Sequence, residues 1–153
     1  MLDMNEKIRV KNLCNWSVSF KRINSNGDVF IAPNTAVSLS RDEVYSQIQS
    51  GNTMFAGTDG LGSHARIYIM DKDTRVDLDF EDADGKKTQN IVDDNKLKEI
   101  FAIKTKAAFE KAVKEFIVTN AEKHKLVEGV HKFKLNEFDK IKFIEDYTGI
   151  KIN

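Results

Sequence analysis

A chain of 153 residues with 41% hydrophobic and 31% charged side chains can bury a core, which excludes a disordered tract poor in apolar groups and rich in net charge. Its twenty-four Lys and Arg cancel its twenty-four Asp and Glu, so no overall positive field draws in nucleic acid and any such role needs a local patch. A single cysteine, Cys14, excludes an internal disulfide, the opening residues lack the apolar run of a secretory signal, and no stretch reaches the ~18 consecutive apolar residues of a membrane span; synthesis and folding in a reducing cytoplasm are expected.

The first half reads as short strands between turns. Ile8-Arg9-Val10 alternates into Leu13, and Val18-Ser19-Phe20 with Ile23 keeps a period of two up to the hairpin signal Asn24-Ser25-Asn26-Gly27. Val29-Phe30-Ile31 restarts a strand. Pro33 has no N–H to extend its ladder, Asn34 suits a turn, and Ala36-Val37-Ser38-Leu39 resumes the alternation, which predicts two hairpins. Ser40 followed by Glu43 is a capping-box pattern that opens a helix over residues 41–49, with Val44 and Ile48 on one face and Gly51 as its stop. Gly57, Thr58, Asp59, Gly60, Leu61, Gly62 and Ser63 read as a mobile loop; strands over residues 65–70 and 76–80 follow, the latter with acids on its outer face. Five or six short strands with one inserted helix predict a small antiparallel β-barrel or sandwich.

After Phe80 the period changes. Residues 83–93, charged and containing Gly85, read as a linker between a β-rich module over residues 1–82 and a small all-helical module over residues 94–153, giving an α+β chain. Leu97, Ile100 and Phe101 mark a short helix. Ala108, Phe109, Ala112, Val113, Phe116 and Ile117 form the stripe of a second; Leu126, Val127 and Val130 mark a third over residues 123–130; a fourth carries Phe138, Ile141, Phe143, Ile144 and Tyr147 and stops at Gly149.

Chemistry-bearing patterns are sparse. His124 and His131 stand seven apart with Glu122 and Glu128 nearby, a spacing that does not fit a His-Glu-x-x-His zinc helix, and a solvated face is expected. Cys14 has no histidine close in sequence and reads as a small core residue. The acids from Asp77 to Asp84 lack the glycine and the terminal carboxylate of a calcium loop, with Asp82 and Thr88 standing at those places. Gly57, Gly60 and Gly62 end in Ser63-His64 before a strand, not in the Gly-Lys-Ser that opens a phosphate-binding helix. No metal and no cofactor are expected. Lysines of the helical half are interleaved with acids except at Lys123, Lys125, Lys132 and Lys134, which flank the two histidines and are the candidate nucleic-acid patch.

The residue order resembles small proteins encoded among the head and neck genes of tailed bacteriophages infecting Firmicutes and other gut bacteria. Ile8-Arg9-Val10-Lys11-Asn12 is similar to their opening strand, Val29-Phe30-Ile31-Ala32-Pro33-Asn34 to an apolar strand ending in a turn, and the segment from Val37 to Val44 to a strand entering a short acidic helix. Ile67-Tyr68-Ile69-Met70-Asp71, Asp93-Asp94-Asn95-Lys96-Leu97, the segment from Phe109 to Ile117, and Tyr147-Thr148-Gly149-Ile150 are similar to the later parts, with Asn34 where the turn glycine usually stands. The resemblance implies a virion or virion-assembly component and carries over no catalytic residue. The expectation is therefore a non-enzymatic phage structural accessory, an auxiliary capsid, head-decoration or connector-associated protein made in the host cytoplasm. It would reside in the virion in multiple copies. Docking onto capsid, connector or tail proteins is expected through a mobile arm over residues 1–7 and the loop of Gly57, Asp59, Gly60, Leu61, Gly62 and Ser63. The alternative is a nucleic-acid-binding module using the lysine patch.

Overall fold

The computed structural model describes residues 1–152. The chain is α+β, with small antiparallel sheets of three and two strands and seven helices among the described residues. It divides into two compact units, Met1–Ile91 and the residues from Val92 onward.

In the first unit, β1 (Lys7–Asn12) is the centre of a sheet ordered β4-β1-β5, flanked by β4 (Ala36–Ser40) and β5 (Ile67–Ile69), both antiparallel to it, with Val10 facing Val37 on one side and Ile69 on the other. β2 (Val18–Lys21) and β3 (Asp28–Ile31) form a separate hairpin. Alternation sends Ile8 and Val10 of β1 and Val29 and Ile31 of β3 inward, where they share one core with Leu39, Val44, Phe55, Ile69 and Phe80. No ladder joins the two sheets into a closed ring among the described residues.

The second expected hairpin does not form, because β4 pairs with β1 and not with β3. Where the chain leaves β3, it meets Asn12, a polar residue at an inward position of β1 and 0% exposed. Its Nδ2 shares two N–H groups among the carbonyls of Trp16 at 2.7 Å, Ile31 at 3.1 Å and Ala32 at 3.3 Å, while its Oδ1 accepts from Cys14 N at 2.9 Å. This amide ties the end of β3 and the Trp16 carbonyl to the end of β1, and the turn through Pro33 and Asn34 (φ 57°) delivers the chain to β1.

Helix α1 (Arg41–Gln49) begins as expected: the Ser40 hydroxyl accepts from Glu43 N. Glu43 does not reach back to complete the box. Its carboxylate accepts from the main-chain N–H groups of Ile23 and Asn24, each at 3.0 Å, and clamps the hairpin to the helix. A short α2 (Thr53–Ala56), capped by Asn52, was not expected. Residues 76–80 are not a strand. Asp71 accepts from Thr74 N and caps α3 (Lys72–Asp77), whose first turn this bond fixes before the Val76, Leu78, Phe80 alternation can pair with anything. Residues 83–91 are tied to this unit at their end, with Gln89 Nε2 on Gly62 O and His64 N on Asn90 O.

The second unit follows its apolar stripes. Asp93 caps α4 (Asp94–Phe101), and Thr119 with Glu122 completes a reciprocal capping box on α6 (Asn120–Lys132). Between them runs α5 (Lys106–Phe116), and α7 (Phe138–Thr148) ends at Gly149. Leu97, Ile100, Val113, Ile117, Leu126 and Ile144, each 1% exposed or less, form the core; Ala108, expected in the stripe, is exposed.

Candidate functional site

The loop of residues 57–63 is built by its own side chains. Asp59 Oδ1 accepts from Leu61 N at 2.8 Å and Ser63 N at 3.2 Å, and Thr58 N donates to Ser63 O at 2.9 Å. Burial works against ionising Asp59, but those N–H donors and the Ser63 hydroxyl outweigh it and hold its carboxyl below the usual range. Gly57 closes the loop with φ +72°, and a Cβ there would stand 2.0 Å from Ser63 O. Gly62 is buried, whereas Asp59, Gly60 and Leu61 face outward, Leu61 being 37% exposed.

The arm over residues 1–7 is likewise held. Arg41, 2% exposed, donates through Nη1 to Asp3 O and through Nη2 to Glu6 Oε1 at 2.7 Å and Asp71 Oδ2 at 3.1 Å, while its Nε reaches the Thr74 hydroxyl at 3.0 Å. Arg41 N donates to Glu6 O and Asp42 N to Met4 O. Here one guanidinium joins the arm, α1 and α3, using the fork geometry that lysine lacks.

The lysine patch is engaged within its own unit. Lys125, 3% exposed, has its Nζ 3.7 Å from Asp94 Oδ1, and Lys132 Nζ lies 2.7 Å from Asp94 Oδ2, so α4 brings both to one carboxylate. Lys123 Nζ stands 5.4 Å from the centre of the Tyr147 ring, and Lys134 is exposed just beyond α6. Lys96, Lys98, Lys114 and Lys140 also lie over aromatic rings, with Lys96 4.5 Å from Phe116. These lysines roof aromatics at the rim of the helical core, and in the case of Lys140 the buried Phe109, by cation–π contact and cover them with their stems. His124 and His131 are exposed, Cys14 is buried in the β-unit core, and no three His, Cys, Asp or Glu of the described residues are grouped to hold a metal ion. No helix of the described residues is long and apolar enough to cross a membrane.

A surface that the sequence reading missed lies on β3. Arg22 N donates to Gly27 O at 2.9 Å, a single bond that places Arg22 and Gly27 where the main-chain groups of the two strands face each other. Counting down the register by twos, Phe20 with Val29 and Val18 with Ile31 are bonded pairs, while Ser19 with Phe30 and Lys21 with Asp28 are not. The main-chain N–H and C=O groups of Asp28 and Phe30 therefore point away from β2, toward an edge with no neighbouring strand among the described residues. The Phe30 ring on that edge is 65% exposed. The corresponding edge of β2 is partly covered, since Gln47 Nε2 donates to Lys21 O at 2.7 Å. Only the exposure of Phe30 in an alternating strand could have signalled this, and alternation does not say which face is wet.

Comparison with protein-family models, with curated proteins and with solved structures finds no match to this chain.

Proposed function

We propose that this chain is a non-catalytic docking component of a tailed-phage virion, an auxiliary capsid, head-decoration or connector-associated protein present in several copies. The observation that carries the docking part is the β3 edge: two residues of outward main-chain donors and acceptors beside an exposed phenylalanine ring. An extended segment of a neighbouring virion protein laid along Asp28 and Phe30 would gain main-chain hydrogen bonds, and covering the ring would add about 1.5–3 kcal/mol of apolar burial. An uncovered apolar edge is otherwise a liability for aggregation, which is why proteins usually blunt such edges with charge or proline. In this reading the β unit is a small two-sheet sandwich that presents the edge, and the loop of Gly57, Asp59, Gly60, Leu61, Gly62 and Ser63 makes a second contact through Leu61. The assignment to a phage particle rests on the resemblance in residue order.

The test is co-sedimentation of purified protein with phage particles for the parent chain and for Phe30→Asp. Because the ring is exposed, the variant should keep its fold by circular dichroism and lose binding. Equal sedimentation of a folded Phe30→Asp variant contradicts docking through this edge.

A further inference from the structure

We propose that Asn26 is a spontaneous modification site, an asparagine that the β2–β3 turn leaves free to deamidate through its own main chain. Asn26 precedes Gly27 at the tip of the hairpin, and both are exposed. Neither the Asn26 amide nor the Gly27 N–H is engaged in a hydrogen bond among the described residues; Gly27 takes part in the turn only through its carbonyl, which accepts from Arg22 N. Gly27 has φ +97°, and nothing beyond its chain neighbours lies within 4 Å of where a Cβ would stand, so the space beside its Cα is open.

The reaction needs only water. Gly27 N attacks Asn26 Cγ, a C–N bond forms, and the proton lost from Gly27 N leaves with the amide nitrogen as ammonia. Water then opens the five-membered imide at either carbonyl. One product is aspartate at residue 26. The other is isoaspartate, which carries an extra methylene in the main chain between Arg22 and Gly27. Both add a negative charge at the hairpin tip, beside Asp28 in sequence.

The same turn supplies an internal control. Asn24, followed by the small Ser25, is also exposed, but its Nδ2 donates to Asp42 Oδ2 and to Ser46 Oγ, each at 3.1 Å, and its main-chain N–H is held by Glu43. Its amide is fixed on α1 by these bonds. The fold therefore separates two asparagines that are two residues apart.

Full-length protein incubated in native buffer at mildly alkaline pH, then separated by isoelectric focusing and peptide-mapped, is the test. One new acidic species should appear, with aspartate and isoaspartate at residue 26 and the amide of Asn24 intact, while the chain in denaturant loses amide at both positions. Asn26→Gln should remove the acidic species. An Asn26 that keeps its amide in native buffer over the time the denatured chain loses it overturns the proposal. So does conversion of Asn24 at the same rate as Asn26.

Discussion

Arg41 Nη2 lies 3.1 Å from Asp71 Oδ2, joining the first residue of α1 to the residue that caps α3. Asp71 is pulled below the ordinary aspartate range first by the Thr74 hydroxyl, against the opposing effect of burial, and then by Thr74 N and by Arg41. Arg41→Met removes the charge and the bonds to Asp3, Glu6, Asp71 and Thr74 together. Glu6 and Asp71 keep access to water, with side chains 55% and 30% exposed, so the loss is set by the charge-assisted hydrogen bonds, about 1.5–3 kcal/mol for each that water does not replace, and not by a stranded buried ion. Urea unfolding measures it, and amide exchange of residues 3–6 should accelerate in the same variant. Arg41→Lys should not restore either value, because an ammonium lacks the fork.

Glu43 predicts acid sensitivity. Burial alone would raise its pKa; the N–H groups of Ile23 and Asn24, the Gln47 amide and the charge of Arg22 together lower it. With folded values depressed for Glu43 and Asp71, their contribution is complete above the ordinary carboxylate range. It is lost as pH falls through that range to the lower folded values. The urea midpoint of the parent chain should therefore fall with acidification, and Glu43→Gln should give a flatter profile with a lower plateau near neutral pH. A parent profile that does not fall on acidification would contradict the clamp.

Asn12→Leu keeps the branching of the side chain, adds volume, and removes both donors from the carbonyls of Trp16, Ile31 and Ala32 together with the acceptor of Cys14 N. Leaving such buried acceptors unsatisfied costs ~1–3 kcal/mol each when no water replaces the donor, so this exchange should be among the most destabilising in the β unit by thermal melting. A melting temperature unchanged from the parent would show that the amide is dispensable.

How much of this was legible in the sequence follows from the range of the forces involved. The helices of the second unit could be read because a stripe such as Phe109, Ala112, Val113 and Phe116 is a local signal of burial, and the Ser40 cap because its bond spans three residues. The hairpin through Gly27 was local too. What failed was decided at long range or by a competing local bond: β4 pairs with β1 over five residues and not with β3, and the Asp71 cap opens a helix that takes in Val76 and ends at Asp77, short of Phe80. The buried Arg41 had no sequence signature, since its partners lie 30 to 38 residues away. The open edge of β3 depends on which strands pair, and short apolar alternation does not encode pairing.

Gly57→Ala should damage the 57–63 loop far more than Gly60→Ala. Both glycines have positive φ, but only at Gly57 would the added methyl meet a carbonyl oxygen, that of Ser63, while Gly60 opens onto free space. The Gly60 exchange should cost about 1 kcal/mol of backbone strain and the Gly57 exchange several times that. Urea unfolding of the two variants ranks them directly; an equal cost would mean that the loop closes without the tight approach of residue 57 to Ser63.

The second unit has its own core, built from Leu97, Ile100, Phe109, Val113, Ile117, Leu126, Val130 and Ile144. A fragment starting at Val92 should fold alone, with helical circular dichroism and a cooperative melt. A fragment without cooperative unfolding would mean that the unit depends on the preceding residues.

The central proposal, residence in a phage particle, is tested most directly by mass spectrometry of density-purified virions of a phage whose genome encodes this chain. The account predicts peptides of this chain at a constant ratio to the major capsid protein across preparations, reflecting several copies per particle. Its absence from purified virions that contain every other head and neck protein would contradict the claim.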